Sequence, residues 1–196
     1  GAFIENAAWR AEVDARGRVT LVSKLHGSRI EDALLLRCEG DRGDEYNADI
    51  LPDGLVGGWT VVSADYGKTH QALVLAAALE VPGGLNKKRT ARREKRDTVV
   101  GAIMEVTLYK GVPRIDFKLT IENNARDHRL RVLFPLPFAT ETAITENQFH
   151  VAERSLTPPP WNGTSPEQPP TTFPQKTFAA FEGEDVGVAV FNKGLQ

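Results

Sequence analysis

The residues between positions 126 and 131 place five hydrogen-bonding side chains within six positions. Arg126, Asp127, His128, Arg129 and Arg131 lie at the junction of two strand-like runs. Arginines on one face of a strand can pair with acids of a neighbouring strand, and exposed pairs of that kind contribute about 0–1 kcal/mol. They can instead form bidentate, partly desolvated contacts at a junction with another domain, which contribute more. The residue types favour both roles equally.

A second polar group, Gly-Asp-Arg-Gly-Asp-Glu-Tyr-Asn at 40–47, offers several carboxylates. Glycoside hydrolysis uses two carboxyl groups about 5 Å or about 6.5–9.5 Å apart. Neighbours on an extended chain point to opposite faces, so Asp44 and Glu45 do not form such a pair by themselves. We expect a tight surface turn in which aspartate side chains accept hydrogen bonds from backbone N–H groups.

Metal binding and nucleophilic catalysis have little support in the sequence. The four histidines are scattered, without the short spacings of a zinc site. Asp41, Asp44 and Glu45 lack the alternating ligands of an EF-hand calcium loop and the glycine at its sixth position. The lone Cys38 excludes an internal disulfide and follows Leu-Leu-Leu-Arg, which predicts a buried structural thiol rather than a nucleophile. The sequence therefore assigns no catalytic residue and no metal ligand to this chain.

The composition is that of an ordinary globular protein. The chain has 196 residues, 41% of them hydrophobic and 26% charged, with a net charge of −2. This predicts a single domain over 1–196 and no nucleic-acid partner. The basic stretch 87–97 lacks interleaved aromatic residues, so we expect a solvated loop or charged edge between strands. No apolar run approaches the about 18 residues of a membrane-spanning helix, which predicts no membrane partner.

Alternation of apolar and polar residues dominates the chain and predicts antiparallel sheet with one buried face. Two hairpins are predicted, one over 8–23 with its turn at 14–17, the other over 104–122 with its turn at 110–113. The run 71–81 contains Ala-Ala-Ala, which favours helix, but its alternation favours a strand. Further strands are predicted near 33–38, 58–64, 129–134, 177–182 and 186–191. Many strands without an amphipathic helix predict an all-β fold of two packed sheets.

Residues 157–174 interrupt this pattern. They hold seven of the twelve prolines, which predicts an extended surface connection within the domain. The chain then ends in a strand-like run at Gln196. We expect this end to be a truncation of the sandwich, and an edge left unpaired there could join two chains into a homo-oligomer.

The order of these motifs resembles the C-terminal β-sandwich domain of glycoside hydrolase family 38, the α-mannosidases. The similarity is to the bacterial type, which includes enzymes like mannosylglycerate hydrolase. Its most specific part is Val-Pro-Arg-Ile-Asp-Phe at 112–117 followed by Asn-Asn-Ala-Arg-Asp-His-Arg-Leu-Arg at 123–131. The other segments that carry it, in order, are 4–6, 41–47, 149–154 and 191–196.

The resemblance implies an antiparallel two-sheet supersandwich of the galactose mutarotase type. It also implies a zinc-dependent retaining α-mannosidase whose zinc ligands and nucleophile belong to an N-terminal catalytic domain outside this chain. This domain would pack on that catalytic domain and border its active site. Asp44, Tyr46 and Asn47 would then lie at the substrate rim, and the 126–131 motif at the domain junction. We expect no cofactor in this chain, inactivity of the chain alone, and a bacterial cytoplasmic enzyme acting on an α-mannoside.

Two other functions remain open at this stage. A free-standing aldose epimerase or mutarotase on the same fold would need a histidine acid and a carboxylate base, with His128 or His150 as candidates. A carbohydrate-binding module would need exposed aromatic residues on one sheet face, whereas Trp9, Trp59 and Trp161 are far apart in the sequence.

Overall fold

A computed structural model describes residues 1–44, 46–164, 169 and 172–193. The chain divides into two compact units, Gly1–Pro135 and Leu136–Gln196. The described residues form antiparallel strands and no helix, which confirms the all-β prediction. None of them therefore forms a helix that could cross a membrane.

The first unit contains three sheets, with strand orders β1-β2-β3-β4, β10-β9-β8-β7 and β11-β5-β6. Its strands are β1 (Ala2–Glu5), β2 (Trp9–Val13), β3 (Val19–Ser23), β4 (Arg29–Ala33), β5 (Leu35–Gly40), β6 (Leu55–Gly57), β7 (Thr60–Tyr66), β8 (His70–Val81), β9 (Thr98–Tyr109), β10 (Asp116–Glu122) and β11 (His128–Leu133).

The second unit contains one four-stranded sheet of order β13-β12-β14-β15. Its strands are β12 (Thr142–Asn147), β13 (His150–Ser155), β14 (Phe178–Glu182) and β15 (Gly187–Phe191). The predicted connection 157–174 has no strand among its described residues, and the predicted truncation at Gln196 falls outside the described part of the chain.

The longest ladder joins β8 and β9, which pair without a register shift from His70↔Tyr109 to Val81↔Thr98. Every second residue from Leu73 to Val81 and from Val100 to Leu108 is buried, and these side chains form much of the core of the first unit. The strand predicted over 71–81 is thus confirmed. Burial of alternate residues outweighs the helix propensity of three consecutive alanines because it removes a whole apolar face from water.

Both predicted hairpins are present. In the first, β2 pairs with β3, and the Asp14 carboxylate accepts hydrogen bonds from the N–H groups of Arg16 and Arg18 at 2.8 and 2.9 Å. In the second, β9 pairs with β10 around Gly111, whose φ of 76° lies in the left-handed region that glycine adopts without strain. These two turns set the registers of the sheets that carry the core.

Candidate functional site

The antiparallel pairing of β5 with β11 brings the 126–131 motif against residues 37–40. In this register Arg131 faces Arg37, Arg129 faces Glu39, and His128 faces Gly40. Leu36 and Cys38 on the opposite face of β5 are fully buried. Arg37, Glu39, Arg129 and Arg131 therefore share the outer face of this ladder, and we call these four residues the outer arginine cluster.

The Glu39 carboxylate is the centre of the outer arginine cluster, with a side chain only 6% exposed. Its Oε2 accepts hydrogen bonds from Arg131 Nη2 at 2.7 Å and from Arg129 Nη2 at 3.3 Å, while Oε1 lies 3.1 Å from Arg37 Nε. Burial raises the pKa of Glu39, but the Arg131 hydrogen bond and the surrounding guanidinium charges outweigh it and lower the pKa. Arg129 and Arg131 thus pair with an acid of the neighbouring strand.

Asp127 connects two loops to the start of β11. Its Oδ2 accepts a hydrogen bond from Leu85 N at 3.2 Å, and its Oδ1 accepts one from Arg89 Nη1 at 3.0 Å. Its backbone carbonyl accepts one from Asp41 N at 2.9 Å. The backbone N–H of Leu85, with Arg89, lowers the pKa of Asp127. Asp127 has a φ of 51°, a conformation that Asp and Asn tolerate better than most residues.

Arg89 extends this connection to the loop after β5. Its Nη2 donates a hydrogen bond to the carbonyl oxygen of Arg42 at 3.1 Å. One arginine thus holds both the Asp127 carboxylate and the backbone of the 41–50 loop. Most of the basic stretch 87–97 is exposed, as expected, but this contact gives it a structural role that its composition did not indicate.

Arg92, in the same basic stretch, departs from the expected solvated loop. Its side chain is only 5% exposed, and Nη2 donates to Cys38 Sγ at 3.4 Å while Nε lies 3.7 Å from an oxygen of Asp53. Gly40 makes room for it, because a Cβ at that position would lie 2.7 Å from Arg92 Cγ. A buried guanidinium needs hydrogen-bonding partners, and here Asp53 and the Cys38 main chain and sulfur supply them.

Cys38, His128 and Asn123 form a chain of hydrogen bonds. Asn123 Oδ1 accepts from the N–H of Ala125 at 3.0 Å, which sets the orientation of the amide. The same oxygen lies 3.0 Å from His128 Nε2, so Nε2 carries the proton. His128 Nδ1 is then the acceptor for the Cys38 thiol, whose sulfur is 3.1 Å away.

This chain has the residue types of a nucleophile, a base and an orienting amide, but not the required ionisation. Burial raises the pKa of the Cys38 thiol, and burial with the nearby Arg92 charge lowers the pKa of His128. Both groups are therefore neutral near pH 7, whereas a nucleophilic cysteine must be a thiolate. Cys38 is also fully buried, as the sequence predicted for a structural thiol. Since both ring nitrogens of His128 are engaged, it is poorly placed to act as the acid of an epimerase.

The 41–50 loop is held by its own aspartates. Asp44 Oδ1 accepts hydrogen bonds from the N–H groups of Tyr46 and Asn47, both at 2.9 Å, and Asp44 N donates to Asn47 O at 3.0 Å. These backbone N–H groups lower the pKa of Asp44. The result is the tight turn that the sequence predicts. Glu45 lies outside the described residues.

The base of the same loop is also fixed. Asp41 Oδ1 accepts from the N–H groups of Gly43 and Asp49, both at 2.9 Å, and Arg42 pairs with Asp49 at 2.8 Å. Gly43 is required here, since a Cβ would lie 1.9 Å from the carbonyl oxygen of Asn47. At the tip, the Tyr46 side chain is 84% exposed. The described residues of the loop therefore present a tyrosine ring on a backbone that the two aspartates hold by hydrogen bonds.

Other candidate sites are less developed. No group of three His, Cys, Asp or Glu residues in the described part of the chain could hold a metal ion. A cleft of about 340 Å³ in the first unit lies beside Trp59 and Val56, with the Arg18–Asp32 ion pair at its edge. Of the candidate site residues named from the sequence, only Trp59 lines it. Trp59 itself is buried and donates its indole N–H to Leu34 O at 2.8 Å, so it offers no sugar-binding face.

The sequence did not identify four residues on which this geometry depends: Arg37, Glu39, Arg89 and Arg92. Arg37 and Glu39 become significant only in the β5–β11 register, because they lie about 90 residues from their partners. Arg89 and Arg92 lie in a uniformly basic stretch. The glycine at position 40, two residues after the buried Cys38, is the one local sign that a bulky group passes close to β5.

Residues 79–196 match the family described as "Glycosyl hydrolases family 38 C-terminal domain". A putative mannosylglycerate hydrolase from Halalkalibacterium halodurans is 23% identical over 211 residues, covering 98% of this chain and 23% of that protein. The chain therefore spans about a quarter of the length of this relative.

Solved structures show the same fold. An alpha-mannosidase from Enterococcus faecalis matches with a TM-score of 0.80 and 23% identity, over 98% of this chain and 23% of that one. An Enterococcus faecalis protein of glycosyl hydrolase family 38 matches with a TM-score of 0.78 and 23% identity, over 98% of this chain and 24% of that one. These similarities agree with the sandwich-type fold expected from the sequence.

Proposed function

This chain belongs to the C-terminal domain family of the family 38 glycosyl hydrolases, and from that premise we propose that it is the non-catalytic β-domain of a zinc-dependent retaining α-mannosidase. The catalytic domain would belong to the same polypeptide, since the chain spans only about a quarter of its relatives. That domain, and not this chain, would bind zinc and the α-mannoside. The enzyme would act in the bacterial cytoplasm.

The observation that carries the proposal is the exposed ring of Tyr46 in a loop whose described residues are held by hydrogen bonds to Asp41 and Asp44. A tyrosine offers an apolar face and a hydroxyl group, which suits it to contact a sugar. Because the Asp44 and Asp41 hydrogen bonds already order the backbone, binding would cost little loop entropy. We assign Asp44, Tyr46 and Asn47 to the substrate rim, with Asp44 shaping the turn.

The 126–131 motif would serve the domain junction in two ways. Asp127 and His128 contact their own chain and position the loops beside β11. Arg129 and Arg131 lie on the outer face with side chains 25% and 36% exposed, so parts of their guanidinium groups are accessible to another domain. Arg126 is exposed at the same edge.

Kinetics on the full-length polypeptide test the proposal. Tyr46→Ala should lower kcat/KM for a nitrophenyl α-mannoside about tenfold, the loss expected from about 1.4 kcal/mol of substrate contact. Tyr66→Ala is the matched control, because Tyr66 is also exposed, at 61%, but lies on edge strand β7. An unchanged kcat/KM in Tyr46→Ala would contradict the rim assignment.

The 196-residue chain itself should release no nitrophenol from the same substrate with zinc added. This follows because its described residues hold neither a three-ligand metal site nor an activated nucleophile. Release of nitrophenol by the purified chain, proportional to its concentration, would refute the non-catalytic assignment whatever the result for Tyr46.

A further inference from the structure

The outer arginine cluster carries more positive charge than its own acid can neutralise. Three guanidinium groups share the single carboxylate of Glu39, which leaves two positive charges in excess. Several other arginines of the described residues pair with an acid of their own, as in Arg18–Asp32, Arg42–Asp49 and Arg114–Asp116.

The strand register makes this excess unfavourable in the absence of a further anion. Arg37 and Arg131 are direct partners across the β5–β11 ladder. Like charges directly opposite each other destabilise an antiparallel pair. Glu39 Oε2 accepts hydrogen bonds from Arg129 and Arg131, and Oε1 lies 3.1 Å from Arg37 Nε, so one carboxylate faces all three guanidinium groups.

The guanidinium groups are held in place and still accessible. Their Nε atoms are buried and make no hydrogen bond, whereas the side chains as a whole are 43%, 25% and 36% exposed for Arg37, Arg129 and Arg131. Each guanidinium carries five N–H donors in a planar fork. The three guanidinium groups therefore have more N–H donors than Glu39 can accept. The contacts with Glu39 hold these groups in position.

We propose that the outer arginine cluster is an oxyanion-binding site, in which Arg37, Arg129 and Arg131 hold one carboxylate- or phosphate-type group and Glu39 acts as the template. The planar fork matches the spacing of two oxygens on such a group, which a chloride ion lacks. The oxyanion is either a free small anion or a carboxylate side chain from the adjoining part of the polypeptide. A carboxylate from the adjoining part of the polypeptide rests on the function proposed above, whereas binding of a free small anion does not.

Thermal unfolding of the 196-residue chain tests the site directly. Inorganic phosphate and malonate are compared with chloride at equal ionic strength. If phosphate binds with a dissociation constant of about 1 mM, a free phosphate concentration about ten times that constant should raise the folded-to-unfolded ratio about elevenfold. Arg131→Gln should abolish this gain, whereas Arg114→Gln should keep it, because Arg114 is exposed and forms its own pair with Asp116 at 2.8 Å. A stabilisation equal in phosphate and chloride would overturn the proposal.

A second measurement does not depend on the variants folding. In a phosphate titration of the unmodified chain followed by NMR, the Nε–Hε signals of Arg37, Arg129 and Arg131 should shift together along one binding curve. The Arg114 signal should stay in place. Shifts spread evenly over all arginines would mean unspecific screening and would also overturn the site.

The full-length polypeptide then identifies the source of the oxyanion. If an adjoining domain supplies carboxylates, phosphate should no longer stabilise the full-length protein, and both proposals are supported. If phosphate stabilises the full-length protein as well as the chain, the oxyanion site stands and the cluster is not the domain junction. The experiments therefore distinguish a refuted oxyanion-binding site from a refuted role of the cluster at the domain junction.

Discussion

Replacing Gly40 with alanine should destabilise the protein through its effect on one buried arginine. The new Cβ would lie 2.7 Å from Arg92 Cγ and 2.9 Å from Leu51 Cδ1. The first distance is about 1 Å inside the optimum for two carbon atoms. Cγ lies in the middle of a side chain whose end is bound to Cys38 and Asp53, so it cannot move without loss of those contacts.

The size of the effect follows from two opposing contributions. Overpacking of this kind costs about 1–3 kcal/mol. Loss of a glycine restricts the unfolded chain and returns about 0.4–1 kcal/mol. We therefore expect Gly40→Ala to lower the free energy of unfolding by about 1–2 kcal/mol, a decrease of roughly 2–8 °C in Tm for a protein of this size.

Gly101→Ala is the matched control. Gly101 also lies in a strand, and its Cβ would meet no atom closer than 3.6 Å, an ordinary van der Waals contact. It should leave the protein as stable or slightly more stable. Urea unfolding can be followed by the fluorescence of tryptophan, since Trp59 is buried. If Gly40→Ala proves as stable as Gly101→Ala, Arg92 does not occupy the space described here.

Two further predictions concern ionisation near the same residues. Asp127→Asn keeps a side chain that tolerates the left-handed φ but loses the ion pair with Arg89. The folded-state pKa of Asp127 is lowered, so the Asp127 carboxylate stabilises the folded protein. The difference in stability between the original protein and Asp127→Asn should therefore be constant above about pH 4 and disappear as the pH falls through the folded-state pKa. Urea titrations of both proteins at a series of pH values measure this, and a difference that grows on acidification would contradict it. Cys38 should react with a thiol reagent only slowly at pH 8 in the folded protein and rapidly in urea, since burial raises its pKa; equal rates in the two states would show that the thiol is accessible.

Alternation predicted the strands whose buried face is apolar. Strand β8 and the two hairpins are of this kind, and the sequence located β8 and both turns. It began β9 at 104 rather than at Thr98, and it did not predict that β8 and β9 pair. It did not predict β1, β4, β6, β12 or β13. Strand β6 has only three residues, and β12 buries an alanine and a threonine, so neither gives a strong apolar signal. Such strands are determined by pairing with a neighbour, which a single sequence does not display.

The candidate site was predicted in its parts but not in its connections. The Asp44 turn follows from local chemistry, because its hydrogen bonds span two or three residues. The outer arginine cluster does not, because Glu39 meets Arg129 and Arg131 only through the long-range register of β5 with β11. The sequence predicted that the arginines pair either with an acid of a neighbouring strand or with another domain. It could not identify Glu39 as the acid or reveal that one acid serves three arginines.

The long β8–β9 ladder has a consequence for the order in which the protein folds. Its strands are separated by one loop, so closing it costs little chain entropy, whereas the β5–β11 pairing joins residues about 90 positions apart. The β8–β9 pairing should therefore form in the rate-limiting step, and the outer arginine cluster should form after it. Substitutions in the cluster would then act on the lifetime of the native state, by speeding unfolding, and leave the folding rate almost unchanged.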